Sequence, residues 1–181
     1  MGFPKALLVK EGKLIVQRMI EDLRQSGWGR IGIVLSSVWL SELFHKLITD
    51  VAVIINRNPE AGMISSIRLA IAWTGDEAEG MLTLPVDHPL ISLSTLEAIR
   101  VAASRYGIIV PTCKGQRGHP TWWGRDCWEL LLSPITDEGA NRVLHSSNLN
   151  VVELPVDDKG VLININKPAD AAEYNLVKYE P

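Results

Sequence analysis

The sequence predicts an α/β domain with a mostly parallel sheet and helices on both faces. Short apolar runs rich in β-branched residues alternate with amphipathic stretches, as strands alternate with crossover helices in such sheets. The chain has 181 residues, of which 46% are hydrophobic and 22% charged, enough for one ordinary core. No linker or internal repeat interrupts the pattern. We therefore expect a single domain over residues 1–181.

The predicted elements follow this alternation along the chain. A helix over 14–25 places its apolar residues mostly on one face, and Ser26-Gly27 ends it as a C-cap would. The predicted strands are 31–35, 51–55, 80–87, 108–112 and 151–156. The other predicted helices are 41–48, 65–73, 95–106, 127–132, 139–146 and 169–174.

Composition and motifs argue against several classes of protein. A net charge of −3 does not favour a nucleic-acid partner, and no apolar run is long enough to span a bilayer. The N-terminus has no apolar signal core. Cys113 and Cys127 have neither metal-site nor redox-motif spacing, which favours free thiols in a reducing cytoplasm. The P-loop and dinucleotide-binding glycine motifs do not occur.

Asp87 is the first candidate for chemistry. Ligands of such sheets bind beyond the carboxyl ends of the strands, and Asp87 ends the predicted strand 80–87 before a His-Pro turn. A carboxylate at this position is suited to hold Mg²⁺ against a phosphate. The alternative is an aspartate that caps a helix or stabilises a turn.

The segment 115–120, Gly-Gln-Arg-Gly-His-Pro, is the second candidate. Its glycines, among them Gly118, let the backbone approach a ligand closely. Arg117 offers a planar donor fork for an anion, and His119 could donate a hydrogen bond or carry a proton. An ordinary turn with solvated side chains is the alternative.

Two further segments carry polar side chains at predicted boundaries. The segment that contains Asn58, Gly62, Met63 and Ser66 turns into a helix whose N-terminus could hold an anion or a ribose hydroxyl. Plain capping by its serines is the alternative. Near the C-terminus, the amides at 164 and 166 could ligate a metal through oxygen, or form a polar turn.

Five segments in order resemble the MobA-like group of the molybdenum-cofactor nucleotidylyltransferases. Residues 1–5 resemble the end of the family's opening motif, G-x-S-x-R-M-G-x-P-K, and residues 58–67 resemble its N-x-x-x-x-G-M-x-x-S segment. Residues 84–90 resemble the strand that ends in a metal-binding aspartate. Residues 115–120 resemble the G-R-R-G-H-P loop of the cytidylyl branch, and 164–170 resemble the closing D/N-I-D/N-T-P-E-D motif.

The resemblance implies a Rossmann-like nucleotidyltransferase fold and transfer of CMP or GMP from an NTP to a phosphorylated acceptor such as molybdopterin. It implies Mg²⁺ as the cofactor, release of pyrophosphate and a possible molybdoenzyme partner. The implied catalytic residues are Lys5, which touches the triphosphate, and Asp87, which binds Mg²⁺. The implied nucleotide-binding residues are Lys5, Asn58, Gly62, Met63 and Ser66. The implied acceptor-binding residues are Arg117, Gly118 and His119, and the implied metal ligands are Asp87, Asn164 and Asn166.

The match begins inside the opening motif, which implies a fold that lacks the family's first strand and its Gly-rich phosphate-binding loop. Such a form is expected to be a poor catalyst. It would also leave two strands with open edges, to be filled by residues 3–9 or by a strand of a second copy in a homo-oligomer.

The loop at Arg117 favours CTP, whereas asparagines at 164 and 166 occur more often in the guanylyl branch. Lys167 and Ala169 replace the usual Thr and Glu. A non-catalytic protein that binds or matures the molybdenum cofactor is the alternative function. A sugar-1-phosphate nucleotidyltransferase is a weaker one.

Overall fold

A computed structural model describes residues 4–36, 51–104, 107–136, 139–145 and 149–179 of the chain. The predicted helix 41–48 and the C-terminal residues of the predicted helices 95–106 and 139–146 lie outside these ranges.

The described residues form short strands and helices in near alternation. The strands are β1 (Leu8–Lys10), β2 (Lys13–Leu14), β3 (Gly32–Leu35), β4 (Ala52–Ile55), β5 (Gly80–Thr83), β6 (Ile108–Cys113), β7 (Gln116–Arg117), β8 (Thr121–Gly124), β9 (Val151–Pro155) and β10 (Val177–Lys178). The α-helices are α1 (Ile15–Gln25), α2 (Met63–Thr74), α3 (Leu93–Ala102), α4 (Trp128–Leu132), α5 (Asn141–Leu144) and α6 (Pro168–Glu173). Within the described residues, the predicted helices and strands are therefore confirmed in type, and most ends shift only slightly, whereas the predicted strand 80–87 ends at Thr83.

The sheets are mixed, so the prediction of a mostly parallel sheet is wrong. Only the pairs β3–β4 and β6–β9 are parallel among the described strands. Strand β8 lies between β5 and β6 and runs antiparallel to both. Its sequence, Thr-Trp-Trp-Gly, has no β-branched run, and sequence patterning therefore missed the strand that changes the sheet's character.

Helices cover both faces of the larger sheet. Ile108 and Val110 of β6 pack in a cluster with α2 and α4, whereas Ile109 between them packs with Ile99 of α3. Successive side chains of a strand point to opposite faces, so this division places α2 and α3 on opposite sides. Both cysteines are buried free thiols, as expected.

The start of the described chain does not join the larger sheet. Lys5–Leu7 form a 3₁₀ turn, and β1 pairs antiparallel with β2 on one edge and with β10 on the other. The backbone N–H of Tyr179 donates to the carbonyl of Leu7 at 3.0 Å, which fastens this turn to the C-terminal segment. The expectation that residues 3–9 fill a gap in the sheet is therefore wrong for the described residues 4–9.

Strands β3 and β5 face each other across a cavity of about 590 Å³ without pairing. All four residues of each strand line this cavity, which we call the β3–β5 slot. Among the described strands, β3 pairs only with β4, and β5 only with β8. Within the described residues, β3 and β5 therefore each have one edge without a partner strand.

Candidate active site

Asp87 lies in a tight turn four residues after the end of β5, and not on the strand as predicted. Pro85 has no backbone N–H to continue the sheet, and its carbonyl accepts from the N–H of His88 at 3.0 Å. The carbonyl of Asp87 accepts from the N–H of Ile165 at 2.8 Å. This bond brings the turn against the C-terminal segment.

Lys5 connects the two predicted metal-binding segments. Its Nζ donates to Oδ2 of Asp87 at 3.2 Å and to Oδ1 of Asn166 at 2.5 Å. The Lys5 and Asp87 side chains are each only 25% exposed. The Lys5 ammonium thus joins residues from the start, the middle and the end of the chain.

Asp170 fixes the backbone on which Asn166 stands. Its Oδ2 accepts from the backbone N–H groups of Lys167 and Asn166, both at 2.8 Å, and these bonds lower the pKa of the Asp170 carboxyl. Ile165 is fully buried, whereas the residues on either side of it are exposed. This alternation places Asn164 on the same side of the segment as Asn166.

The oxygens around Lys5 fit a divalent cation. Carboxylate and amide oxygens are the ligands of Mg²⁺, and here Asp87 and Asn166 already point at a single ammonium. The described residues contain no group of three His, Cys, Asp or Glu that could hold a metal ion. A metal here would depend on one carboxylate, amide oxygens and oxygens of a bound phosphate.

Two histidines pack against each other beside this cluster, with their ring planes tilted by 56°. The rings of His88 and His119 lie 4.5 Å apart between centroids, and the Nδ1 atom of each is buried without a partner among the described residues. Burial lowers the pKa of His119 to about 4, helped by His88, and burial also lowers the pKa of His88. Both rings are therefore neutral at neutral pH, with hydrogen-bonding atoms still to be satisfied.

The backbone around Gly118 positions His119. The N–H groups of Gly118 and His119 donate to the carbonyls of Pro111 and Val161, both at 2.9 Å. A Cβ at position 118 would lie 2.3 Å from the Val161 carbonyl oxygen, so only glycine fits this approach. The peptide bond between His119 and Pro120 is cis.

Arg117 points to a different partner from the one predicted. Its guanidinium donates to Oε1 of Glu153 on β9 through Nε and Nη2, both at 2.8 Å, and both side chains are about half exposed. It thus forms a surface ion pair beside the loop, and its predicted contact with an acceptor would require it to leave Glu153.

Asn56 organises the segment predicted to bind nucleotide. This side chain is 3% exposed; its Nδ2 donates to the hydroxyls of Ser65 and Ser66 at 2.7 and 3.0 Å, and its Oδ1 accepts from the N–H of Asn58 at 2.9 Å. Gly62 has φ of 76°, the left-handed region that lets the chain turn into α2. Of the predicted residues, Asn58 and Gly62 thus lie at the ends of this turn, and Met63 and Ser66 lie at the start of α2.

The structure gathers five of these side chains and separates others. The gathered set is Lys5, Asp87, His88, His119 and Asn166. Met63 and Ser66 line the β3–β5 slot. Within the described residues, the side chain of Asn164 makes no hydrogen bond. Sequence reasoning did not assign roles to Asn56 and His88, although each follows a predicted strand or its aspartate.

Solved structures with a similar fold are nucleotidyltransferases and related proteins. A nucleotidyl transferase from Methanothermobacter is 21% identical with a TM-score of 0.76, covering 93% of this chain and 82% of that one. Rv0371c of Mycobacterium tuberculosis, crystallised with manganese, is 22% identical with a TM-score of 0.78, covering 94% and 90%. Molybdopterin-guanine dinucleotide biosynthesis protein A from Archaeoglobus fulgidus is 18% identical with a TM-score of 0.69, covering 96% and 89%. At these identities the likeness shows an α/β nucleotidyltransferase fold.

The family follows from the sequence itself. Residues 1–151 match the profile of the MobA-like NTP transferase domain, and the chain belongs to this family. A search of curated proteins found no match. Within the described residues, no helix is long and apolar enough to cross a membrane.

Proposed function

We propose that this protein transfers a nucleotidyl group, CMP or GMP, from an NTP to a phosphorylated acceptor such as molybdopterin. The observation that carries the proposal is the convergence of Lys5, Asp87 and Asn166 at one point. A partly buried lysine beside a carboxylate and an amide oxygen can bind a metal–triphosphate, because the lysine attracts the phosphates and the oxygens attract the metal. Membership of an NTP transferase family agrees with this use of the site.

The reaction requires little covalent chemistry from the side chains. An acceptor phosphate oxygen attacks the α-phosphorus in line, the bond from that phosphorus to the bridging oxygen breaks, and pyrophosphate leaves with the electron pair. Lys5 binds the triphosphate and stabilises the charge that develops on the leaving group. Asp87 and Asn166, with Asn164 beside them, would hold a divalent ion, which when bound neutralises phosphate charge.

Neutral histidines are suited to orient an acceptor. His119 lies against His88, next to Asp87, and each imidazole has a buried nitrogen without a partner. A neutral imidazole can donate one hydrogen bond and accept another, so the pair can position an acceptor without adding charge. The Arg117 guanidinium would bind the acceptor phosphate once it had released the Glu153 carboxylate.

Incubation of the 181-residue chain with Mg²⁺, molybdopterin and each NTP in turn tests the proposal. We expect slow pyrophosphate release with CTP or GTP, CTP being favoured by the loop at Arg117, and loss of that release in Asp87→Asn. Asp157→Asn, an exposed aspartate on the segment after β9, is the matched control and should remain active. Absence of both release and NTP binding in a folded chain would contradict the proposal.

A further inference from the structure

The carboxylate of Asp158 joins two elements that are far apart in the chain. Its Oδ2 accepts from the backbone N–H of Ser92 and from the hydroxyl of Thr95, both at 2.8 Å and 66 and 63 residues away along the chain. Its Oδ1 accepts from the N–H of Gly160, also at 2.8 Å. Ser92 and Thr95 lie at the N-terminal end of α3, whereas Gly160 belongs to a 3₁₀ turn over Lys159–Leu162. Asp158 therefore ties the start of α3 to this turn.

The bond to Ser92 fixes the segment that follows His88. Ser92 comes four residues after His88, and the chain between them passes directly against the 3₁₀ turn. A Cβ at Gly160 would collide with the backbone carbonyl of Leu90, so the two backbones lie as close as only glycine allows. The segment 88–92 is thus attached to the turn at its middle and at its end.

The same turn holds His119. The carbonyl of Val161 accepts from the N–H of His119 at 2.9 Å, and Gly118 lies so close to this carbonyl that no side chain fits there. Val161 is fully buried, and close packing leaves such a residue little room to adjust. A shift of the turn relative to α3 would therefore move His119 relative to His88.

The chain beyond the turn is held by other bonds. The N–H of Ile165 donates to the carbonyl of Asp87 at 2.8 Å, and Asp170 accepts from the backbone N–H of Asn166 at 2.8 Å. Neither bond involves Asp158. Its influence on the candidate site is therefore directed to the two histidines and not to the proposed metal ligands.

Three donors around Asp158 require a carboxylate at this position. A carboxylate has two acceptor oxygens and no donor, whereas an asparagine has one acceptor oxygen and an NH₂ group. Asparagine would therefore place donors against donors, either towards Ser92 or towards Gly160. Asp157, the residue before it, is exposed, and its side chain makes no hydrogen bond within the part of the chain that the structure describes. The two aspartates thus offer a variant and a control of equal charge.

We propose that Asp158 is a positioning residue, which sets the spacing of the His88 and His119 rings by tying the start of α3 to the turn at 159–162. The proposal rests on the proposed function in one respect, namely that this pair of imidazoles orients the acceptor. Loss of the carboxylate moves the rings apart and impairs use of the acceptor, and it leaves the binding of the NTP unaffected.

Nuclear magnetic resonance of the imidazoles tests the spacing directly. The chain has four histidines, so their ring signals can be assigned by replacing each with glutamine in turn. The His88 and His119 centroids lie 4.5 Å apart, and we expect the cross-relaxation between the rings to fall by about half or more in Asp158→Asn but not in Asp157→Asn. Thr95→Val, which removes one donor from the carboxylate, should show a smaller fall and serves if Asp158→Asn does not fold. An unchanged signal in the folded variant would overturn the proposal.

A second carboxylate separates positioning from general stability. Both oxygens of Asp126 accept from the N–H of Gly107, at 2.9 and 3.0 Å, just before β6 begins. The loop that carries His119 contacts β6 near its other end, at Pro111. Asp126→Asn should therefore lower the Tm, as Asp158→Asn does, but leave the signal between the rings unchanged. Equal loss of that signal in both variants would mean that Asp158 stabilises the fold without positioning the histidines.

Steady-state kinetics test the consequence for the acceptor. With Mg²⁺, CTP and molybdopterin, Asp158→Asn should raise the KM for molybdopterin about tenfold or more, because a misplacement of about 1 Å can cost on the order of 100-fold, and should leave the KM for CTP unchanged. Equal increases in both KM values, or none, would overturn the proposal. If the unaltered chain releases no pyrophosphate, the proposed function fails, whereas the signal between the rings still decides whether Asp158 positions them.

Discussion

The ammonium of Lys5 lies 3.2 Å from Oδ2 of Asp87, although 82 residues separate them in the sequence. The same ammonium bonds the amide oxygen of Asn166 and so occupies the point at which these oxygens could share a metal ion. Under the proposed function, metal and triphosphate binding would therefore be linked. A cation bound by Asp87 and Asn166 would displace Lys5, which would then be free to bind the phosphates.

Asp87→Asn should abolish most of the divalent-metal affinity of the chain. The change removes the one carboxylate among the proposed metal ligands, and loss of even an outer-shell partner typically weakens a metal site by about 10–100-fold. Isothermal titration with Mn²⁺ and Mg²⁺ measures the effect, with Asp157→Asn as the control of equal charge. Unchanged affinity in Asp87→Asn would remove Asp87 from the metal site.

Lys5→Met should change metal and nucleotide binding in opposite directions. The variant keeps an apolar stem but removes the ammonium that competes with a metal ion for Asp87 and Asn166. We expect tighter Mn²⁺ binding and, since a charge-assisted contact contributes about 1.5–3 kcal/mol, at least tenfold weaker binding of an NTP. Lys10→Met on β1 is the control. Weaker binding of both ligands would mean that Lys5 organises the site and does not compete.

Sequence alone predicted the described helices and five of the strands, but it missed the short strands β1, β2, β7, β8 and β10. Periodicity and Ser26-Gly27 predict the helix that begins near Leu14. A short apolar run predicts the strand that includes Leu35. Sequence alone could not predict that β8 enters antiparallel, because strand direction depends on which edges meet and Trp122-Trp123 give no directional signal.

The sequence predicted only part of the candidate site, because the other contacts join residues that are far apart in the chain. Asp87 and Asn166 were expected near one metal, and the structure brings them to the same lysine. The bond from Arg117 to Glu153 depends on β9 lying beside β6, a long-range contact that no local pattern encodes. The role of Asn56 depends on the fold of 58–66 around its amide, which becomes visible only in three dimensions.

Gly118→Ala should destabilise the fold and displace His119. The new methyl would lie 2.3 Å from the carbonyl oxygen of Val161, and overpacking of this kind costs about 1–3 kcal/mol. Denaturant unfolding measures the loss. Gly29→Ala is the control, because nothing lies within 4 Å of its added methyl and its φ is not in the left-handed region. Equal stability of the two variants would mean that the loop relaxes freely.

Asn56→Ala should weaken nucleotide binding more than it affects metal binding. The change leaves the N–H of Asn58 and the hydroxyls of Ser65 and Ser66 without their buried partner, at a cost of about 1–3 kcal/mol. The turn that carries Gly62 and Met63 then loses its fixed position. Parallel titrations with CTP and with Mn²⁺ should show a higher Kd for CTP alone; equal losses would indicate a general effect on folding.

The burial of His119 should make the stability of the fold fall as the pH is lowered from 6.5 to 4. In the unfolded chain its pKa is near 6.5, whereas in the fold it is about 4. Between these values the unfolded chain binds a proton that the folded chain does not, so this contribution is complete above pH 6.5 and is lost as the pH falls. The difference sets an upper bound of roughly 3 kcal/mol.

His119→Asn should flatten that pH dependence in urea unfolding measured at several pH values. Part of the pH dependence should persist, because burial also lowers the pKa of His88. The fold therefore also loses stability through His88 as the pH falls below neutral. Asp158 acts separately: burial raises its pKa, but the N–H of Ser92 and other donors outweigh this and hold it below 3.8, so its contribution disappears only at more acid pH. His145→Asn, at an exposed position after α5, should keep the full dependence. An unchanged profile in His119→Asn would show that the imidazole at 119 is already solvated.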